Sequence, residues 1–119
     1  MASTTESVDT PAAAAAAWLA QVDTADAAAS WTAAGAAFRA ATSPDGWGER
    51  LRAARGPLGP LTSRALAVEQ RLDGLPGAPP GAYVVRQYHS VYDGVKAVVE
   101  TLTLRHEDGA WRVVGYYIR

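Results

Sequence analysis

The chain has 119 residues, of which 49% are hydrophobic and 19% charged, and its formal net charge is −1. This composition indicates a folded domain, and the near-neutral charge argues against nucleic acid or an anionic membrane surface as the main partner. Because the sequence contains no cysteine, it excludes disulfides, thiol nucleophiles and thiolate metal sites.

The first residues predict a short lead ahead of one domain. Residues 1–11 are largely polar, and we expect a flexible N-terminal lead there, with a single domain over residues 12–119. The lead lacks the basic region of a signal peptide, and no run of about 18 apolar residues occurs, so no membrane span is predicted. Two localisations stay open: a periplasmic or secreted protein whose signal has been removed, and a cytoplasmic protein.

Three helices are predicted over the first half of the chain. Thr10 can cap a helix that begins with a proline and extends over residues 11–22. A second helix is predicted over residues 25–41, where apolar residues recur at helical spacing. Ser43 repeats the pattern of a cap followed by proline, and starts a third helix over residues 44–54. The four tryptophans of the chain are interpreted as anchors of the core.

Four strands follow the helices and set the fold class. Asp93-Gly94 and Asp108-Gly109 separate β-rich runs, and Asp-Gly is typical of two-residue type I′ turns, in which both central residues need positive φ. The predicted strands cover residues 61–72, 82–92, 95–107 and 110–119. This order predicts an α+β fold in which three N-terminal helices pack on a four-stranded antiparallel meander.

The two turns also predict which side chains share a face of the sheet. With two-residue loops, Gln87 pairs with Glu100 and Glu100 pairs with Tyr117, and His89 lies one step away on the same side. We expect this face to lie beneath the helices, because it also carries the largest apolar side chains of the three strands. These are Leu102, Leu104 and Trp111.

Glu100 is the candidate functional group of this face. A carboxylate in an apolar cleft has a raised pKa, which suits a general acid or base near neutral pH. In that hypothesis Tyr117 and Gln87 orient a substrate and His89 assists proton transfer. The alternative is a buried ion pair, because a buried carboxylate needs a partner. The candidate partners are Arg64, Arg55 and Arg112.

Two functional hypotheses from different classes follow, and a plain structural scaffold stays open as a third. The first is non-catalytic binding of a small apolar ligand or of a protein partner. The second is an isomerase or lyase that uses Glu100 as general acid or base. The predicted ligand-binding residues are Gln87, His89, Glu100, Tyr117 and Arg64. No cofactor is predicted, and no metal site either, because the two histidines of the chain are not at metal-binding spacing.

The opposite face of the predicted sheet is assigned to a partner chain. It mixes tyrosine, valine and isoleucine with threonine and arginine, which is too apolar for a plain solvent face. We expect a homodimer to form through this outer sheet face. The predicted interface residues are Tyr88, Tyr92, Tyr116 and Ile118.

Several segments resemble a known bacterial family, the domain of unknown function four-zero-one-nine. The more specific ones are RGPLG at residues 55–59 and WRVVGYY at residues 111–117, and the resemblance extends over residues 12–119. It implies an envelope location for relatives that follow a signal peptide, and it carries over no catalytic residue because the family has no assigned activity. The element order also resembles the cystatin-like and nuclear-transport-factor-like architecture, which implies a curved sheet around a cone-shaped pocket.

Overall fold

The residues that the structure describes fold as four short helices followed by a four-stranded antiparallel sheet. The structure is a computed structural model that describes residues 10–93 and 97–119. The helices are α1 (Pro11–Asp23), α2 (Ala27–Ala33), α3 (Ala36–Ala41) and α4 (Pro44–Arg55), and a 3₁₀ turn (Gly56–Leu58) follows. The strands are β1 (Leu61–Leu72), β2 (Tyr83–Tyr92), β3 (Val98–Glu107) and β4 (Ala110–Ile118), in the sheet order β1-β2-β3-β4. The predicted α+β class and the meander are confirmed.

Two helices begin at the caps that the sequence predicts. The hydroxyl of Thr10 accepts a hydrogen bond from the backbone N–H of Ala13 at 3.1 Å, and that of Ser43 accepts one from Gly46 at 3.0 Å. A proline follows each cap, where its missing N–H costs nothing. Of the predicted lead, residues 1–9 lie outside the described residues, and the last residue of the lead already belongs to α1.

The predicted second helix is wrong in its extent, because residues 25–41 form two helices that meet at Gly35. The backbone N–H of Gly35 donates to the carbonyl of Val113 at 2.7 Å instead of continuing the helix. The chain runs so close to β4 here that a Cβ on Gly35 would lie 2.8 Å from Cγ1 of Val114. Contact with the sheet therefore overrides the local helical pattern.

The second hairpin has the predicted turn, but β4 contains one additional residue. Asp108 and Gly109 have φ angles of 50° and 82°, as a type I′ turn requires, and they join a directly paired Glu107 and Ala110. Further along, the pairing shifts by one residue at Val114, which is the signature of a β-bulge. Beyond the bulge, the residues of β4 lie one position away from the predicted register.

The first hairpin differs from the prediction by one residue throughout its described part. Tyr88, and not Gln87, pairs with Glu100, and His89 pairs with Val99. Residues 94–96 lie outside the described residues, so the two-residue turn at Asp93-Gly94 stays a prediction. A shift of one residue moves every side chain of β2 to the other face of the sheet.

The helices cover one face of the sheet, which we call the inner face; the opposite side is the outer face. The core between them is aromatic, with ring centroids 4.9 Å apart for Phe38 and Trp47 and 5.3 Å apart for Trp18 and Tyr116. Trp18 and Trp47 also donate their indole N–H groups to the buried Ser30, at 2.9 and 2.8 Å. The other two tryptophans are only partly buried against this core. No helix among the described residues is long and apolar enough to cross a bilayer.

Candidate functional site

The inner face holds a carboxylate that is completely enclosed. Glu100, on β3, is 0% exposed, and Arg64 of β1 donates to both of its oxygens, from Nε at 2.7 Å and from Nη2 at 3.2 Å. A guanidinium that meets a carboxylate with two parallel bonds forms one of the strongest hydrogen-bonded ion pairs in proteins. The predicted alternative of a buried ion pair with Arg64 is therefore confirmed.

Three hydroxyl groups complete the environment of this carboxylate. Ser90 of β2 donates to Oε1 at 2.5 Å, Tyr92 of β2 donates to Oε2 at 2.8 Å, and Tyr116 of β4 also donates to Oε2. We call these residues, with Glu100 and Arg64, the Glu100 cluster. Its donors come from all three other strands, so every strand of the sheet contributes to holding the charge.

The Glu100 cluster continues to the protein surface through a second acid and a second base. Arg64 donates to both carboxylate oxygens of Asp23, the last residue of α1, at 2.8 and 2.9 Å. Arg55, the last residue of α4, donates to the same carboxylate at 3.0 Å, and its guanidinium lies 4.8 Å from the ring centroid of Tyr92. Two carboxylates and two guanidiniums thus alternate, and the four charges balance.

The cluster keeps Glu100 ionised. Burial alone raises the pKa of its carboxyl group, but hydrogen bonds from Arg64, Ser90 and Tyr116 outweigh burial and lower the pKa from 4.5 to about 2. Burial and the bond to this carboxylate raise the pKa of Tyr92 from 10.0 to about 12. The pKa of Tyr116 is raised for the same two reasons, with the Glu100 charge as an additional cause.

This environment is unsuited to acid–base catalysis by Glu100. A general acid or base near neutral pH needs a pKa near that pH and an open position for the substrate proton. Here the pKa lies near 2, and five donated hydrogen bonds occupy the two oxygens. The carboxylate therefore acts as a hydrogen-bond acceptor that fixes the positions of the side chains that donate to it.

The residues predicted to form one site around Glu100 are divided between the two faces of the sheet. Glu100 lies on the inner face as expected, but Gln87 and Tyr117 pair with Thr101 on the outer face. His89 is exposed there, and Tyr117 is 47% exposed. The predicted placement of Gln87, His89 and Tyr117 beside Glu100 is wrong, because each neighbouring strand is offset by one residue. A ligand-binding role for them stays a prediction.

The predicted dimer residues, which were expected on the outer face, lie on the inner face. Tyr88 and Ile118 pair directly with Glu100, so they lie on the inner face with Tyr92 and Tyr116. Tyr88 is 6% exposed and Tyr92 is 0% exposed within a single chain, which leaves neither available to a partner. Their predicted placement on the outer face is therefore wrong, and the same offset is the reason.

Sequence reasoning missed three donors of the site and Asp23. Ser90 and the two tyrosines occupy alternate positions of β2 and β4, so their hydroxyl groups could have been recognised as donors for a buried acid. Asp23 carries no such pattern, since it meets Arg64 only through the packing of α1 on the sheet edge. Among the described residues, no group of three acidic or histidine side chains is arranged to hold a metal ion.

Comparisons with known proteins agree with the fold and assign no activity. The family described as "Protein of unknown function (DUF4019)" matches residues 14–116. The structure also resembles the crystal structure of a putative calcium/calmodulin-dependent protein kinase type II association domain from Thiobacillus denitrificans. That match has a TM-score of 0.62 and 15% identity, and covers 96% of this chain and 97% of the other. It confirms the nuclear-transport-factor-like fold, whereas the cystatin-like label gains no support. No curated protein matches significantly.

Proposed function

The chain belongs to the DUF4019 family of proteins of unknown function, and we propose that it is a non-catalytic binding domain that associates with a second copy of itself. The contact surface is the outer face of the sheet. The observation that carries this proposal is the contrast between an inner face that, apart from Leu66 on the edge strand β1, is filled by the aromatic core and the Glu100 cluster, and an outer face that retains exposed apolar side chains.

The central row of the outer face supports a contact with another protein. The row crosses all four strands as Val68, Gln87, Thr101 and Tyr117, and none of these residues is charged. Val68 is 48% exposed and Tyr117 is 47% exposed, and Val91, four residues beyond Gln87 on β2, is 37% exposed. Val68 and Tyr117 lie on the two edge strands, and the uncharged polar residues Gln87 and Thr101 lie between them. Exposed apolar side chains around an uncharged centre are typical of a protein interface.

Two further observations favour a second copy of the chain as the partner. Charged side chains of the outer face lie toward its edges: Arg105 pairs with Glu107 beside the second hairpin, and the Arg119 guanidinium at the end of β4 lies 5.3 Å from the ring centroid of Tyr117. A patch with an uncharged centre can meet the same patch of a second copy across a two-fold axis. The solved structure of the same fold is named an association domain, and it matches over nearly its whole length.

The isomerase or lyase hypothesis gains no support from the described residues. Its proposed acid or base is held as a carboxylate by Arg64 and three hydroxyl groups. Its two proposed orienting residues lie on the other side of the sheet.

The proposal is tested with a pair of matched variants of β1. Val68 and Leu66 are equally exposed, at 48% and 46%, but a bulge between them places Val68 on the outer face and Leu66 on the inner side. We expect Val68→Glu to shift the oligomer to monomer in sedimentation velocity, whereas Leu66→Glu leaves the oligomer intact. Thermal melts of both variants report whether each chain is folded. A wild-type chain that stays monomeric at high concentration, or two variants that dissociate equally, would overturn the proposal.

A further inference from the structure

A cavity of about 400 Å³ opens where the alternating charges reach the surface. The end of α1, one side of α4, the 3₁₀ turn and the start of β1 surround it. Most of the lining is apolar, and its larger apolar residues are Val22, Leu51, Pro60 and Leu61. The charged groups in the lining are Asp23, Arg52 and Arg55. An apolar cavity of this size with a few convergent polar groups has the features of a small-molecule site.

Arg55 has donors that the described residues leave without an acceptor. Its Nη2 donates to Asp23, but Nε and Nη1 are buried and make no hydrogen bond within the described part of the chain. A buried guanidinium with unpaired N–H groups is unfavourable, since those groups have given up water without a replacement. A carboxylate or phosphate oxygen of a ligand would supply the acceptor that these two groups lack.

The same geometry allows Arg55 to turn toward the cavity. Asp23 already accepts two hydrogen bonds from Arg64, so it stays paired if Arg55 leaves. Nε and Nη1 are covered by neighbouring atoms, which means that an incoming group reaches them only after this rotation. One hydrogen bond to a shared carboxylate and the contact of its guanidinium with the Tyr92 ring, 4.8 Å from the ring centroid, hold the Arg55 side chain in place.

The charged residues of the lining determine which ligand charge the cavity favours. Glu100, Arg64, Asp23 and Arg55 balance one another through their ion pairs, so Arg52 supplies the net positive charge of the lining. Arg52 is exposed and makes no ion pair with any described residue. Two guanidiniums at the edge of an apolar cavity favour an oxyanion, because an Arg fork matches the two oxygens of a carboxylate.

We propose that this cavity binds a small amphipathic acid. Its carboxylate lies between Arg52 and Arg55, and its aliphatic or aromatic body lies against Val22, Leu51 and Leu61. This site is separate from the outer face of the sheet and does not depend on self-association.

The experiment compares two probes of equal length, octanoate and octanol, by isothermal titration calorimetry. We expect octanoate to bind saturably and octanol to bind at least about tenfold more weakly, because only the acid can pair with the arginines. Methyl NMR shifts should place octanoate at Val22 and Leu51. Equal binding of the two probes, no binding of octanoate at millimolar concentration, or shifts elsewhere would each overturn the proposal.

Variants of α4 supply the matched controls. Arg52→Gln removes an exposed charge at the cavity, and we expect it to weaken octanoate binding about tenfold with little effect on octanol. Arg50→Gln removes another exposed charge from the same helix outside this cavity, and should leave octanoate binding unchanged. An equal effect of both variants would show that only general electrostatics is involved and would contradict the site. Arg55→Gln should abolish the preference for the acid, provided that its thermal melt shows a folded chain.

Discussion

The two faces of the sheet are built from similar residues, but the inner face is buried beneath the helices and the outer face is directed to the exterior. On β2, the inner face carries Tyr88, Ser90 and Tyr92, and the outer face carries Gln87 and His89 among its residues. Both sets mix aromatic or apolar groups with hydrogen-bonding ones, so composition does not distinguish them. The difference is that the inner polar groups surround one charge, whereas the outer ones face the exterior. The polar residues of a strand can therefore lie on the buried face only where hydrogen-bond partners are available to them.

Removing the base of the Glu100 cluster should have the largest effect on the inner face. Arg64→Met leaves Glu100 as a buried charge without its ion-pair partner, and we expect a loss of about 3–5 kcal/mol in the free energy of unfolding. Arg71→Met, an exposed position on the same strand, should change it by less than about 0.5 kcal/mol. Urea denaturation measures both variants.

A double variant separates the ion pair from a general effect on packing. Arg64→Met combined with Glu100→Leu removes both charges, and it should recover part of the stability that Arg64→Met loses. If the double variant is as unstable as the sum of the two single variants, the pair is not the origin of the loss.

The second largest expected effect is a loss of stability at low pH that originates from the inner face. The pKa of Glu100 is lowered from 4.5 to about 2 on folding, so its contribution is present above pH 4.5 and is lost as the pH falls toward 2. A shift of this size corresponds to about 3 kcal/mol in the free energy of unfolding. Glu100→Gln should remove this pH-dependent part and leave a flatter profile between these two pH values. Identical slopes in denaturation profiles of the variant and the wild type would contradict the assignment.

A pair of valines gives the smallest and most direct contrast between the faces. Val113 is 1% exposed on the inner face, and Val113→Thr buries a hydroxyl group, which should cost about 1–3 kcal/mol. Val99 lies half-buried on the outer face, where Val99→Thr should change the stability of the monomer by less than about 0.5 kcal/mol. Thermal denaturation at low protein concentration measures both. Equal losses would mean that the outer face is covered in the folded monomer.

The sequence predicted those features that depend on neighbouring residues. The caps at Thr10 and Ser43 and the turn at Asp108-Gly109 follow from local hydrogen bonding and from φ, and the structure confirms them. The inner position of Glu100 was also predicted, because β3 carries it in phase with Leu102 and Leu104. The candidate partner Arg64 followed from the need of a buried carboxylate for a base.

The features that were not predicted depend on contacts between distant segments. Gly35 interrupts a helical pattern because β4 accepts its N–H, and nothing within α2 or α3 signals this. The bulge at Val114 and the offset between β2 and β3 each change the register by a single residue, to which a pattern of alternation is insensitive. These offsets moved Gln87 and Tyr117 away from Glu100 and brought Tyr88 next to it.

The position of Glu100 has a consequence for how the strands find their alignment. Its donors come from β1, β2 and β4, and a slip of any of these strands by one residue would turn the donor of that strand toward the other side. Each misaligned sheet would then leave the buried carboxylate without at least one of its donors. A single acid thus disfavours the wrong pairings of three strands at once. This favours one register during folding, which the turns of the hairpins alone do not determine.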